Sequence, residues 1–389
     1  MEASLLITIE KYLSPLISSS AWKIKSALFI GFLSIMLASP RIHMMNEYVN
    51  SDTGLWTVII RKSNHLTDPL KDLPQSSHAA KKKLRLTVPI IAKCLNLNAW
   101  TIYLLQVILG FFSIFFFLSV IYPISNDKLL AFLSTASFAF IFAGKCAFID
   151  IAGHLDAWPF FFALLALFTR FRLLQLICCL AIIWSDERGY ILSGLTVFTL
   201  FIIENFNTNA KNEKSKVNYW AFISLLAIPI SIGIRNYLTS NYNLGTNYLD
   251  PANDVGLDLF FTQIEQRFFI SSLIQFEGFW ILFFTAIAVL LRHKKYILTA
   301  LFAGFLLVNT LSSFIVGDII RSASYGFPLI FIAYLIIKKL EPSWIYSTVL
   351  LVFIISFIIP PFQYLGENIS YYSPFPFYYV FYFRNLLPF

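Results

Sequence analysis

Apolar runs long enough to lie in lipid recur from the first quarter of the chain to the last, divided by short polar connections. They fall near 24–40, 99–122, 129–148, 157–171, 173–185, 189–204, 218–235, 272–291, 296–316, 323–337 and 344–361. That pattern predicts about eleven membrane-spanning helices, several shorter than the roughly 20 residues of a straight crossing. The runs are continuous rather than alternating, which argues against an outer-membrane barrel. The expected fold is all-α, a polytopic transmembrane helix bundle forming a single integral membrane domain over 1–389. Between 157–171 and 173–185, the sequence Arg170–Phe171–Arg172 fits either a tight cytoplasmic turn or the kink of one helix.

Composition agrees with a membrane solvent. Of 389 residues, 58% are hydrophobic and only 13% charged, less charge than the surface of a soluble domain this long needs. The formal net charge of +8 invites a nucleic-acid reading, but the cations are scattered among apolar spans rather than gathered in a stripe. Four cysteines, with Cys178 and Cys179 adjacent inside an apolar run, indicate neither a disulfide framework nor a zinc site. The first run, preceded by Lys23 and Lys25 and ending in "LASPR", reads as a retained span rather than a cleaved signal.

Lys and Arg in the short loops set the expected orientation. With the amino terminus cytoplasmic, the inner connections carry Lys128, Arg170, Arg172, Lys211, Lys214, Lys216, Arg292, Lys294, Lys295, Lys338 and Lys339. The short outer ones carry chiefly Lys145, Arg188 and Arg321. A first outer loop then covers 41–98 and a second large one 235–271. The first is an exception to the charge rule, with nine Lys or Arg, but its length is near the limit at which loops cross regardless of charge.

Polar residues that are unusual in so apolar a chain gather on the expected outer side. The segment "DIAGHLDAW" brings Asp150, His154 and Asp156, "SDER" brings Asp186, Glu187 and Arg188, and "GDIIRSASYGFP" brings Asp318, Arg321 and Tyr325. Glu47, Asp52, Asp68, His78, Lys81, Lys82 and Arg85 come from the first loop. Ionisable groups at membrane depth are costly and usually pair or line a cavity, so these segments are expected to share a polar site. Singly, each has a plainer reading: Asp318 and Arg321 at i, i+3 neutralise each other, and Glu187 and Arg188 cap a helix in water. The Asp150, His154, Asp156 spacing suits either a divalent metal or a histidine held by a carboxylate; it matches no known ligand pattern, so the metal is not favoured. His78, Lys81, Lys82 and Arg85 would share one face of an amphipathic interfacial helix that Pro89 disrupts, aimed at lipid phosphate or simply at anionic headgroups.

About eleven spans, a long first outer loop and carboxylates at the outer ends of spans resemble the GT-C class of glycosyltransferases. The resemblance implies transfer of a sugar from a polyprenyl-phosphate-linked donor to a cell-envelope glycan or lipid acceptor at the extracytoplasmic face. It implies an acidic residue soon after the first span acting on the acceptor, here Glu47 or Asp52 in "NEYVNSD". Inverting sugar transfer needs a carboxylate to take the acceptor proton and cations to receive the leaving phosphate. His78, Lys81, Lys82 and Arg85, with Asp150, His154, Asp156, Asp186, Glu187, Arg188, Asp318 and Arg321, then become substrate-binding candidates. The competing expectations are a lipid-linked glycan transporter or flippase and an envelope polysaccharide polymerase or ligase.

Overall fold

The computed structural model describes residues 2–51, 54–69, 83–206, 219–241 and 256–359, with two short stretches at 362–365 and 368–371. Helices α1 (Glu2–Ile17) and α2 (Trp22–Ala38) open the chain, followed by α3 (Met45–Asn50), α4 (Leu55–Asn64) and α5 (Thr87–Leu95). Next come α6 (Ala99–Ser125), α7 (Lys128–Phe140), α8 (Phe142–Ile149), α9 (Ala157–Phe168), α10 (Arg172–Ser185) and α11 (Gly189–Phe206). The remaining helices are α12 (Ala227–Asn241), α13 (Leu257–Phe276), α14 (Phe279–Arg292), α15 (Tyr296–Ser313), α16 (Ile319–Ala323), α17 (Leu329–Leu340) and α18 (Ile345–Ile358). Strands β1 (Phe362–Leu365) and β2 (Asn368–Tyr371) pair antiparallel as a small hairpin, leaving the architecture helical.

The centre of the bundle is α6, at 27 residues about 40 Å long. Asn98 starts it with a capping box: its side chain accepts from the Thr101 N–H at 2.9 Å, and its own N–H donates to Thr101 Oγ1 at 2.8 Å. Helices α2, α7, α8 and α9 pack around α6. Every residue of α7 from Leu129 to Phe140 is buried, as befits a helix apolar on all sides. Phenylalanines fill the centre: Phe117 stacks on Phe138 at 4.2 Å and meets Phe331 at 4.7 Å. Offset ring pairs of this kind add about 0.5–1.5 kcal/mol beyond the area they bury.

Three helical segments are long and apolar enough to cross a membrane: Ala99–Ser125, Trp220–Asn241 and Tyr296–Ser313. Counting each bent pair as one span raises the number to seven. The expected span at 129–148 is such a pair, bent by 57° where Ile141 adopts an extended conformation. Gly144 makes that break possible, because a Cβ there would lie 2.1 Å from the carbonyl oxygen of Phe138. The expected span at 272–291 is broken too, by 87° between α13 and α14. Much of the expected outer loop 235–271 is helical, as the end of α12 and most of α13. Helix α1 falls outside the expected spans and meets α2 at 113°. At 169–171 the chain turns between α9 and α10, so the tight turn holds rather than a single kinked helix.

Candidate functional site

Three connections converge at one end of the bundle: the 150–156 segment between α8 and α9, the 186–188 turn between α10 and α11, and α16. The chain preceding α5 joins them. There Leu86 donates its N–H to the Trp184 carbonyl at 2.8 Å, and Thr87 Oγ1 donates to the Ala181 carbonyl at 2.8 Å. Pro89 lies in the first turn of α5, where a missing N–H leaves no bond unmade. The expected helix ending at Pro89 is therefore corrected: Arg85 sits in irregular chain before a helix that runs through Pro89. His78, Lys81, Lys82 and Asp52 lie outside the described residues. Glu47 is exposed on α3 and takes no part in the cluster, and Asp68 lies in the turn after α4.

Asp156 and Asp186 organise the charges. Asp186 receives the Arg188 guanidinium on both oxygens, Nε at 2.7 Å and Nη2 at 2.9 Å, and also the Arg188 N–H at 3.0 Å. Arg85 Nη1 adds a contact to Asp186 at 2.7 Å, while Arg85 Nε donates to Glu187 at 2.8 Å. The shared cationic face expected for Arg85 is thus replaced by a two-carboxylate clamp. Burial pushes the Asp186 carboxyl up, but Arg188 and Arg85 outweigh it and hold the group well below the usual carboxylate range. Such an acid is a fixed anion, unsuited to carrying protons.

Asp156 is 2% exposed. It accepts from Arg321 Nε on one oxygen, and from Arg188 Nη2 at 3.3 Å and the Tyr325 hydroxyl at 3.2 Å on the other. The Arg188 guanidinium lies over the Tyr325 ring at 4.8 Å and donates to Ser322 Oγ at 2.9 Å. Arg321 Nη1 also donates to Asp318 at 2.6 Å, so the i, i+3 pair forms within a wider network. The same nitrogen lies 3.1 Å from His154 Nδ1. A guanidinium has only donors, so Nδ1 must accept, leaving a neutral ring with its proton on Nε2.

Asp150 serves the backbone. Its carboxylate accepts the N–H groups of Gly153 at 3.1 Å, His154 at 3.0 Å and Leu155 at 2.6 Å. Those bonds hold Leu155 at a φ of 66°, a conformation costly for a non-glycine residue. Burial first, then the neighbouring Asp156, pushes the Asp150 carboxyl up to about 6 despite them. Trp56 Nε1 donates to the Ile151 carbonyl at 2.7 Å, tying α4 to the same segment. With Asp150 turned to the backbone and Asp156 to two arginines, the three residues considered for a metal do not converge as ligands. Among the described residues no three His, Cys, Asp or Glu side chains are placed to share one.

Beside this network a small cleft, open to the outside, lies between α4, the start of α5 and the 153–155 segment. Leu55, Val58, Ile59, Val88 and Pro89 give it an apolar wall, while Lys62, Arg85, His154 and Ser185 give it polar groups. Lys62 is 3% exposed and did not stand out in the sequence, since one lysine in a mixed helix carries no signal. Lys145, expected in an outer connection, lies instead inside α8 at 3% exposure. It faces Glu277 at 3.4 Å, a residue hidden within an expected span.

No family model, curated protein or solved structure matches this chain.

Proposed function

We propose that this protein is a membrane glycosyltransferase using a polyprenyl-phosphate-linked sugar, with a cell-envelope glycan or lipid as acceptor. The cleft carries the reading: Leu55, Val58, Ile59 and Val88 line it together with Lys62 and with Arg85, which Asp186 and Glu187 already hold, a lining suited to an anion attached to a hydrocarbon chain. Isoprenoid methylenes would lie on Leu55, Val58, Ile59 and Val88, and the phosphate against the two cations. Charge building on the leaving phosphate is then met by groups already in place.

Of the carboxylates in the network we take Asp318 as the acceptor base, because its side chain is 50% exposed while Asp156 and Asp186 are buried against arginines. Asp52 and Glu47 are its rivals from the first loop. The four shorter apolar helices in this reading cross as well as the three long segments and the four bent pairs, which makes eleven spans. In this reading the chain sits in the cytoplasmic membrane with its amino terminus inside and the cleft outside.

The test is transfer of labelled sugar from a polyprenyl phosphate to lipid or glycan acceptors by purified protein in liposomes. Asp318→Asn should abolish it at normal abundance; loss in Asp52→Asn or Glu47→Gln instead moves the base to the first loop. Parent-like transfer in all three variants and in Lys62→Gln overturns the proposal. Transport of a lipid-linked glycan is the second reading, favoured by a buried charge pair at two helix breaks. Movement of labelled lipid across the bilayer without transfer would decide for it.

A further inference from the structure

Below the charged network lies an ion pair that the proposed transfer reaction does not use. Lys145 stands on α8 about 7 Å of helix rise from Asp150. Glu277 occupies the break between α13 and α14, with a φ of 49°. Both side chains are almost wholly buried, at 4% and 2% exposure. Their contact is a single one of 3.4 Å, from Lys145 Nζ to Glu277 Oε1, long for a charged hydrogen bond. Glu277 Oε2 is buried with no hydrogen-bond partner. A buried pair with one poor contact and an orphaned carboxylate oxygen does not repay its desolvation as a structural link.

The surroundings are built to receive something at that oxygen. Gly278 lets α18 come close: a Cβ there would meet the Val352 carbonyl oxygen at 2.4 Å and Ser356 Oγ at 2.7 Å. Ser356 Oγ is itself buried without a partner. Along α13, Gln263, Ser271 and Gln275 are buried on one face at multiples of four residues, while Phe269, Ile270 and Leu273 face outward. Gln263 Oε1, Ser271 Oγ and Gln275 Oε1 all lack partners. A helix with apolar residues outside and orphaned polar atoms inside offers a hydrated route to Glu277.

We propose that Glu277 and Lys145 form a proton-binding site, in which Glu277 Oε2 takes a proton from water reaching it along the polar face of α13. Uptake adds one positive charge to the pair. The Coulomb link between the two broken helices is then lost. Few other charges bear on the site. On α13 itself Arg267, Glu265 and Asp258 lie ten, twelve and nineteen residues along the helix, from about 15 Å to about 28 Å away. Helix α16 brings Arg321, which Asp156 and Asp318 already engage. Helix α18 contributes Tyr346, bonded to Asp127, and α17 contributes Tyr334, Lys338 and Lys339. Tyr296 begins α15, Arg292 ends α14, and Cys146 is the neighbour of Lys145.

The proton itself is the probe. Full-length protein labelled with 13C-carboxyl glutamate is placed in lipid nanodiscs and followed by infrared spectroscopy as pH is stepped. A buried acid carbonyl band should convert to carboxylate bands with rising pH. Glu277→Asp should remove that band from the labelled set while keeping an acid in place. Lys145→Met should move the midpoint so that at least tenfold fewer protons suffice to keep the acid form. A carboxylate signal constant at every pH where the protein stays folded overturns the proposal, as does an unmoved midpoint in Lys145→Met. Should Glu277→Asp fail to fold, the comparison of parent with Lys145→Met decides alone.

Discussion

Replacing Asp156 by asparagine keeps the shape of the side chain and deletes its charge. In the folded protein Asp156 compensates Arg321, whose side chain is 8% exposed, and contributes to compensating Arg188, 18% exposed. Arg188 keeps its two-pronged contact with Asp186, so little of the loss falls on it. Of its two carboxylates Arg321 keeps only Asp318, half in water. Breaking a buried pair from one side costs about 3–5 kcal/mol, and because Arg321 retains one partner we expect about 3 kcal/mol for Asp156→Asn. Arg321→Gln should cost less, about 2 kcal/mol, since Asp156 then retains Arg188 and Tyr325. The two losses share one interaction, so the double variant should fall short of their sum by about 2 kcal/mol. The assay is equilibrium unfolding of purified protein in mixed micelles as the mole fraction of dodecyl sulfate rises. Additivity to within about 0.5 kcal/mol would show that the pair does not bind the 150–156 segment to α16.

Asp150 should give stability a pH dependence of definite sign. Its folded value of about 6 lies above the ordinary carboxylate, so the native state binds the proton more tightly, and this contribution fades as pH rises from about 4 through 6. Across that window the same unfolding assay should show parent stability falling relative to Asp150→Asn, then running parallel above it; a parallel course throughout refutes the assignment. Arg85→Lys preserves charge but reaches only one of Asp186 and Glu187, so sugar transfer should fall about tenfold, near 1.4 kcal/mol. Parent-like activity there would reduce Arg85 to a general attraction for anionic lipid.

What the sequence disclosed was the polar residues that have no place in lipid. Asp150, Asp156, Asp186, Arg188, Asp318 and Arg321 stood out because each interrupts or ends an apolar run, and the fold draws them into one network. Their division of labour was not legible. Nothing in "DIAGHLDAW" distinguishes Asp150, turned to three backbone N–H groups, from Asp156, turned to two guanidiniums. Helix breaks also escaped, since Ile141 and Gly278 lie in sequence as apolar as the flanking helices. Lys145 reads as part of an outer connection and Glu277 was missed for a related reason: each is one charge in a long apolar stretch, and only the bends turn them toward each other.

The separations between partners impose an order on the assembly of this protein at the ribosome. Asp156 meets Arg188 after 32 further residues, but Arg321 only after 165. Lys145 waits through 132 residues for Glu277. At synthesis rates of about 5–20 residues per second, its ammonium spends roughly 7–26 s without that carboxylate while its helix is being delivered to the bilayer. Until α13 and α14 arrive, α8 must hold its lysine toward headgroups or against the insertion machinery. The first half of the chain therefore enters the membrane unfinished, and the C-terminal helices complete its charge balance.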